Sequence, residues 1–229
     1  MSTNTSNKDI RTLGYVIRRT NYGEADRILS IITPFGKKTV IAKSVRKSKS
    51  KLAGSIELFS LIDFNIHQGK SEFGIVTGAK MLKFNGNILK DMARMELAGV
   101  IFKEISRLAE SSDNAEFYEI TDQCLKGLDD GTDLRLVETW FWLNIDRASG
   151  EEVNLYRDSN GKLLQEDRQY DYNGQEETFF EHEDGEYGAN EIKMLRLCYK
   201  AKLGVVKKVK IDDALLMKIL FFARTLNNV

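Results

Sequence analysis

Within its first eighty residues the chain carries a series of short β-type runs with no helical run between them, and this restricts the possible folds more than any other feature. Leu13–Thr20 (LGYVIRRT), Arg27–Thr33 (RILSIIT) and Lys38–Lys43 (KTVIAK) are rich in Ile, Val and Thr and are bounded by turn residues. Between the second and third runs stands Thr33-Pro34-Phe35-Gly36, with the chain's only proline where a type I turn favours it. Leu58–His67 places Leu58, Ser60, Ile62, Phe64 and Ile66 on one face, and the Gln68-Gly69-Lys70 corner predicts a hairpin with Ser71–Met81. Strands joined without a crossover helix predict a small closed five-stranded antiparallel barrel. Ser44–Ser55, between the third and fourth strands, is polar and cationic and reads as a flexible loop.

The period then changes. In Lys90–Ser111, Met92, Met95, Ala98, Phe102, Ile105 and Leu108 recur at three- and four-residue spacing, which predicts an amphipathic helix. Ala115–Leu128 and Asp133–Ala148 repeat the pattern, Asn190 is placed to cap a helix through Leu203, and Asp212 to cap a last one, apolar nearly all round and so expected to be buried. Between the third and fourth helices, residues 150–189 hold two Asn-Gly hairpin signals, Asn160-Gly161 and Asn173-Gly174, among aromatic and acidic residues. The expected protein is therefore α+β, with a barrel domain over residues 1–82 and a helical domain over 83–229 carrying an acidic β-hairpin insertion at about 150–189.

A formal net charge of zero conceals a strong asymmetry. Residues 1–80 carry fourteen Lys and Arg against six Asp and Glu, residues 150–191 three against thirteen, and residues 192–229 nine against two. Such segregation implies one surface that faces a polyanion and an acidic one opposed to it. There is no apolar run long enough to cross a membrane, and the opening MSTNTSNKDIRT lacks the apolar core of a signal peptide, so residues 1–8 read as a frayed tail and the chain as cytoplasmic. Cys124 and Cys198 stand far apart in apolar helical patterns, as reduced core thiols would.

The densest cluster of cations is Lys37, Lys38, Lys43, Arg46, Lys47, Lys49 and Lys51, on and just after the third strand. Cations on a barrel face suit a phosphate backbone, each contact releasing counterions, and Tyr15, Tyr22, Phe35, Phe59 and Phe73 are available for stacking. Catalytic patterns are weak. Gly69-Lys70-Ser71 lacks the earlier glycine of a phosphate-binding loop, His67 and His182 have no cysteine near them, and the Glu181–Glu186 run lacks calcium-loop spacing. No convergent acid, base and nucleophile set points to an enzyme.

Leu13-Gly14-Tyr15-Val16-Ile17-Arg18, YGEADRIL (Tyr22–Leu29), Gly36-Lys37, Ile41-Ala42-Lys43-x-x-Arg46, Lys51-Leu52-Ala53-Gly54 and Glu57-Leu58-Phe59 together resemble, in order and spacing, the bacterial recombination mediator family RecO. The resemblance covers about Leu13 to Leu82. It implies an N-terminal OB-fold and a helical domain, commonly with a four-cysteine zinc ribbon. It further implies a cytoplasmic, nucleoid-associated protein that binds single- and double-stranded DNA, anneals complementary strands, and acts with RecR to load RecA onto strands coated by single-strand-binding protein (SSB). No cysteine follows Gly150 until Cys198, so no zinc is expected and hairpins take the place of the ribbon. Lys200, Lys202, Lys207, Lys208 and Lys210 are the expected complement to the acidic SSB tail, or a second DNA contact. An OB-fold factor for RNA, and a protein adaptor whose basic loop serves solubility, are the readings that compete with this one.

Overall fold

The structure is a computed structural model and describes residues 8–110, 112 and 114–227. The tail expected over residues 1–8 lies outside them except for Lys8, which opens the first strand. The chain divides between Asp129 and Asp130 into two compact units, the first of which takes in the first two long helices along with the strands.

In the first unit, β1 (Lys8–Tyr22), β2 (Asp26–Thr33), β3 (Gly36–Ala42), β4 (Ser60–Gln68) and β5 (Gly74–Phe84) close into a barrel in the order β1-β2-β3-β5-β4. The expected all-antiparallel pairing needs correction at one seam, where β3 and β5 run parallel through Val40↔Gly74 and Ile41↔Ile75. The reason is parity: five strands cannot alternate direction all the way round a closed sheet. Gly74 is suited to this seam, because a Cβ there would lie 2.7 Å from the Ile66 side chain.

Alternation fills the interior. Leu29 and Ile31 of β2, Val40 and Ala42 of β3, and Ile62, Phe64 and Ile66 of β4 form one buried cluster. Of three consecutive buried residues of β1, Val16 points into this cluster, whereas Tyr15 and Ile17 on the other face are covered by Asp122 and Phe102 of the helices that follow, and a bulge interrupts the ladder between Val16 and Arg18. The Gln68 corner is broader than expected, since β4 and β5 are separated by residues 69–73. Gly69-Lys70-Ser71 is thus part of a hairpin connection.

Helix α1 (Met92–Leu108) begins at Asp91, whose carboxylate accepts from the Ala93 amide at 2.9 Å. Helix α2 (Glu116–Asp129) turns Phe117, Ile120, Cys124, Leu125 and Leu128 inward. The buried Tyr15 hydroxyl donates to Asp122 Oδ1 at 2.6 Å, and burial together with this carboxylate pushes its pKa up. Lys126 Nζ holds the other Asp122 oxygen at 2.6 Å.

The second unit holds α3 (Leu134–Ser149), β6 (Tyr170–Asn173), β7 (Thr178–Glu181), α4 (Ala189–Lys200), α5 (Leu203–Val206) and α6 (Asp213–Leu226). The cap expected at Asn190 falls at Gly188, whose amide donates to Glu191 Oε2 at 3.1 Å, and the helix expected to reach Leu203 stops at Lys200. Asp212 caps α6 as expected. That helix is not buried all round, because Met217 and Phe221 are exposed.

Both Asn-Gly sites turn the chain, in different ways. Gly161 takes φ +76° in a tight turn closed by the Arg157↔Leu163 bridge. At the second, the link is four residues long rather than two. Asn173 Oδ1 accepts from the amides of Gln175 and Glu176, and Glu177, not Gly174, adopts positive φ. Phe222 of α6 lies at the centre of this region, ringed by Tyr172, Phe179 and Tyr187 at centroid distances of 4.9, 5.7 and 5.4 Å. These residues do not fit zinc. The segment has no cysteine, and no group of three or more possible metal ligands occurs among the described residues. No helix among them is long and apolar enough to cross a membrane.

Candidate nucleic-acid interface

The cations that lie close together in sequence are sorted by the barrel into three places. Lys43, Arg46, Lys47, Lys49 and Lys51 follow the end of β3 and are all exposed. Their loop, polar in composition, is folded into turns. Lys47, Ser50, Ala53 and Ser55 each donate an amide hydrogen bond to the carbonyl three residues back, so the loop is a chain of tight turns. Val45, only 2% exposed, and Ile56, fully buried, fasten its two ends into the barrel core.

The connection between β1 and β2 braces the loop from the side. The Ser44 amide donates to Asp26 Oδ1 at 2.6 Å, the Arg46 amide to the Ala25 carbonyl at 2.9 Å, and Arg46 Nη1 to the Gly23 carbonyl at 3.2 Å. Gly23 sits at φ +53°, which a glycine adopts without a Cβ penalty. The Tyr22-Gly23-Glu24-Ala25-Asp26-Arg27 turn thus holds the basic loop. The Asp26 partner, Ser44, lies eighteen residues away, and no local pattern announces that. Tyr22, 53% exposed, stands beside the braced loop.

Lys38 lies at the opposite end of β3, where it lines a recess of about 410 Å³ with Lys8, Arg11 and the exposed Phe35. Arg11 forks onto Asp63, with Nη2 to Oδ2 at 2.6 Å, which holds the Asp63 carboxyl below its ordinary range. Lys37 is turned to α1. Its ammonium donates to the Ser106 carbonyl and hydroxyl at 3.1 and 3.2 Å and to Glu110 Oε1 at 2.8 Å, and its side chain is 11% exposed. Lys37 therefore ties barrel to helix and is withdrawn from a polyanion. Of the aromatics considered for stacking, Tyr15 and Phe59 are core, Phe73 is half-buried, and Tyr22 and Phe35 are open.

In the second unit the lysines expected to act together are also divided. Lys200 Nζ sits 4.9 Å from the centre of the Tyr156 ring, which Arg196 covers at 4.6 Å. Lys207 is bound by the Asp130 carboxylate. Lys202, Lys208 and Lys210 are exposed. Cys124 and Cys198 are free and buried, and burial raises both thiol pKa values, that of Cys198 to about 12. Within the acidic run, His182 Nδ1 meets Asp171 Oδ2 at 2.6 Å in a surface turn.

Comparison with known proteins bears on the barrel. The family model "Recombination protein O N terminal" matches residues 8–85, which cover all five barrel strands. A protein of Dehalococcoides mccartyi called DNA repair protein RecO is 32% identical over 154 residues, 66% of this chain and 60% of that protein. Its namesake in Roseiflexus is 33% identical over 147 residues, 64% of this chain and 52% of its own length. One from Bifidobacterium longum is 35% identical over 100 residues, 43% of this chain and 42% of its own. The chain thus spans about two-fifths to three-fifths of these curated relatives. Over residues 8–85 the chain thus matches the N-terminal domain of the RecO family from end to end, and beyond it the chain is similar to proteins called DNA repair protein RecO.

Proposed function

We propose that this chain binds single-stranded DNA at the braced loop end of its barrel and serves in DNA repair and recombination, without covalent chemistry of its own. The observation that carries this reading is the loop itself. Five cations, Lys43, Arg46, Lys47, Lys49 and Lys51, are exposed together on a scaffold of turns, with Tyr22 alongside. A rigid cationic surface loses little entropy when a backbone docks, and it carries no sequence preference because phosphates are alike. Double-stranded DNA is accommodated by the same residues. Annealing of complementary strands, and loading of RecA with a RecR-like partner onto strands coated by SSB, are the tasks this binding serves. In the second unit Lys202, Lys208 and Lys210 are the cations open to an acidic partner tail.

Every phosphate that the protein ceases to neutralise takes close to one unit from the slope of log affinity against log salt. The triple reversal Lys43→Glu, Arg46→Glu and Lys47→Glu is therefore expected to flatten the slope for a labelled oligothymidylate by about two to three units. Fluorescence anisotropy over a salt series measures it. An unchanged slope would place the DNA elsewhere, and tighter binding of a matched RNA than of DNA would favour an RNA-binding role, since only RNA offers a 2′-hydroxyl.

A further inference from the structure

An apolar groove of about 610 Å³ runs along the first unit between the end of the β1 bulge and helix α1. Ile17, Leu58, Phe59 and Phe102 form its floor, and Arg18, Lys103 and Arg107 stand on its rim. Phe59 and Phe102 stack in it, with ring centres 5.5 Å apart and planes 19° from parallel. Phe59 achieves this at φ +63°, a strained value for an aromatic residue. The strain is held in place by Asn85, whose backbone and side-chain amides both donate to the Phe59 carbonyl, at 3.0 and 2.8 Å. On the helix side the groove is open at Gly99, where an added Cβ would meet nothing within 4 Å.

Two features narrow what the groove takes. The first is charge. Arg107 is paired with Glu104, and Glu110, paired with Lys37, also feels the charge of Arg18; Lys103 has no ion pair among the described residues, and with three cations against one lining carboxylate the rim is net cationic. The second is continuity. Arg18, Thr20 and Tyr22 are paired with Ser30, Ile28 and Asp26 of β2, in the row that faces away from the core residues Leu29 and Ile31, and all three are exposed. That row leads from the groove to the braced basic loop, a distance of about 13 Å at the usual rise of a strand.

We infer that the groove is a base-binding slot, in which a single strand lying on the basic loop and along the Arg18–Tyr22 row inserts unstacked bases against the apolar floor. Arg18 and Lys103 hold the adjoining phosphates. The inference rests on the proposed DNA binding and adds to it a preference for single strands, because bases paired in a duplex are not free to enter.

The test compares an oligothymidylate with strands of equal length whose three terminal nucleotides, at one end or the other, are abasic. Gly99→Leu fills the slot from the helix side, and it favours the helix because Leu replaces Gly. The parent protein is expected to bind the intact strand at least about fivefold more tightly than one of the abasic-ended strands, the contribution of a single stacked base. Gly99→Leu is expected to abolish that difference while leaving the salt slope and the affinity for the abasic strand unchanged. Equal binding of intact and abasic strands by the parent, with its steep salt slope retained, overturns the slot and leaves the basic loop standing. A parent without salt-dependent strand binding overturns both. If Gly99→Leu instead abolishes binding of an acidic peptide with an apolar end and leaves strand binding intact, the groove is a protein-docking site and the inference is wrong.

Discussion

Phe222→Ala is expected to destabilise the second unit by about 3–5 kcal/mol, the usual cost of emptying a buried phenylalanine site. Phe222 is 1% exposed, stacks on Phe179 at 18° between planes, and meets the edges of Tyr172 and Tyr187. Both strands of the β6–β7 hairpin and the approach to α4 thus converge on this one helical side chain. Collapse around a smaller side chain is restricted, since three rings set the walls. Both tryptophans of the chain, Trp140 and Trp142, lie on α3 in the same unit, so tryptophan fluorescence during urea unfolding reports on it directly. A loss of less than about 1 kcal/mol would show that the aromatic cluster does not organise the insertion. The cluster stands where the family resemblance implies a zinc ribbon, so treatment with a strong chelator is expected to leave the unfolding midpoint of the parent where it was.

The second large effect has the opposite sign. Asp146, near the C-terminus of α3, is 5% exposed, and its carboxylate accepts from the Asn227 side-chain amide at 3.2 Å. Burial pushes its pKa up to about 7; Asn227 offsets part of the rise, and the carboxylates of Glu151 and Glu177 add to it. The buried Tyr172 hydroxyl, which has no hydrogen-bond partner among the described residues, belongs to the same poorly solvated region. The folded state keeps a proton that the unfolded state has lost, so the stability Asp146 contributes is complete below about pH 4 and disappears as the pH rises to 7. Asp146→Asn keeps an oxygen for Asn227 and removes the titration. The variant is expected to match the parent near pH 4 and to exceed it by about 3–4 kcal/mol at pH 8. Urea titrations of both proteins at several pH values give the difference curve. A difference that does not vary with pH, or a variant weaker than the parent at pH 8, would contradict this account.

Much of the fold is legible in the sequence because its two hydrophobic periods are clean. Ile62, Phe64 and Ile66 announce β4, and Phe117, Ile120, Cys124 and Leu128 announce α2, each by spacing alone. The parallel seam is invisible to such patterns, since a strand's alternation does not depend on its neighbour's direction. It is legible in another way, through the odd number of strands. The Asn173-Gly174 turn misleads because asparagine closes a longer loop with its own side chain.

The interface is only partly legible, and the reason is geometric. Lys37, Lys38 and Lys43 are neighbours in sequence, yet a strand carries Lys38 and Lys43 toward opposite ends of the barrel, about 16 Å apart. Lys37 also finds a carboxylate just beyond α1, some seventy residues later, which no local run of cations reveals. The Val45 and Ile56 anchors are readable as apolar residues in a polar stretch, and they are what distinguishes a rigid platform from a solvated loop.

The parallel seam has a consequence for how the barrel breathes. Every other junction is a long antiparallel ladder, whereas β3 and β5 are paired at only two positions, Val40↔Gly74 and Ile41↔Ile75. Sub-global opening follows the line of fewest cross-strand bonds, so the barrel unzips here before it unfolds anywhere else. Its hinge is then the continuous β1–β2–β3 ribbon. The Ser44–Arg46 end of the basic loop, fastened to Ala25 and Asp26 at the head of that ribbon, travels with it. Amide protons along Gly74–Val76 should accordingly exchange with solvent ahead of those in the β1–β2 ladder, and the cationic platform keeps its shape while the cylinder behind it gapes.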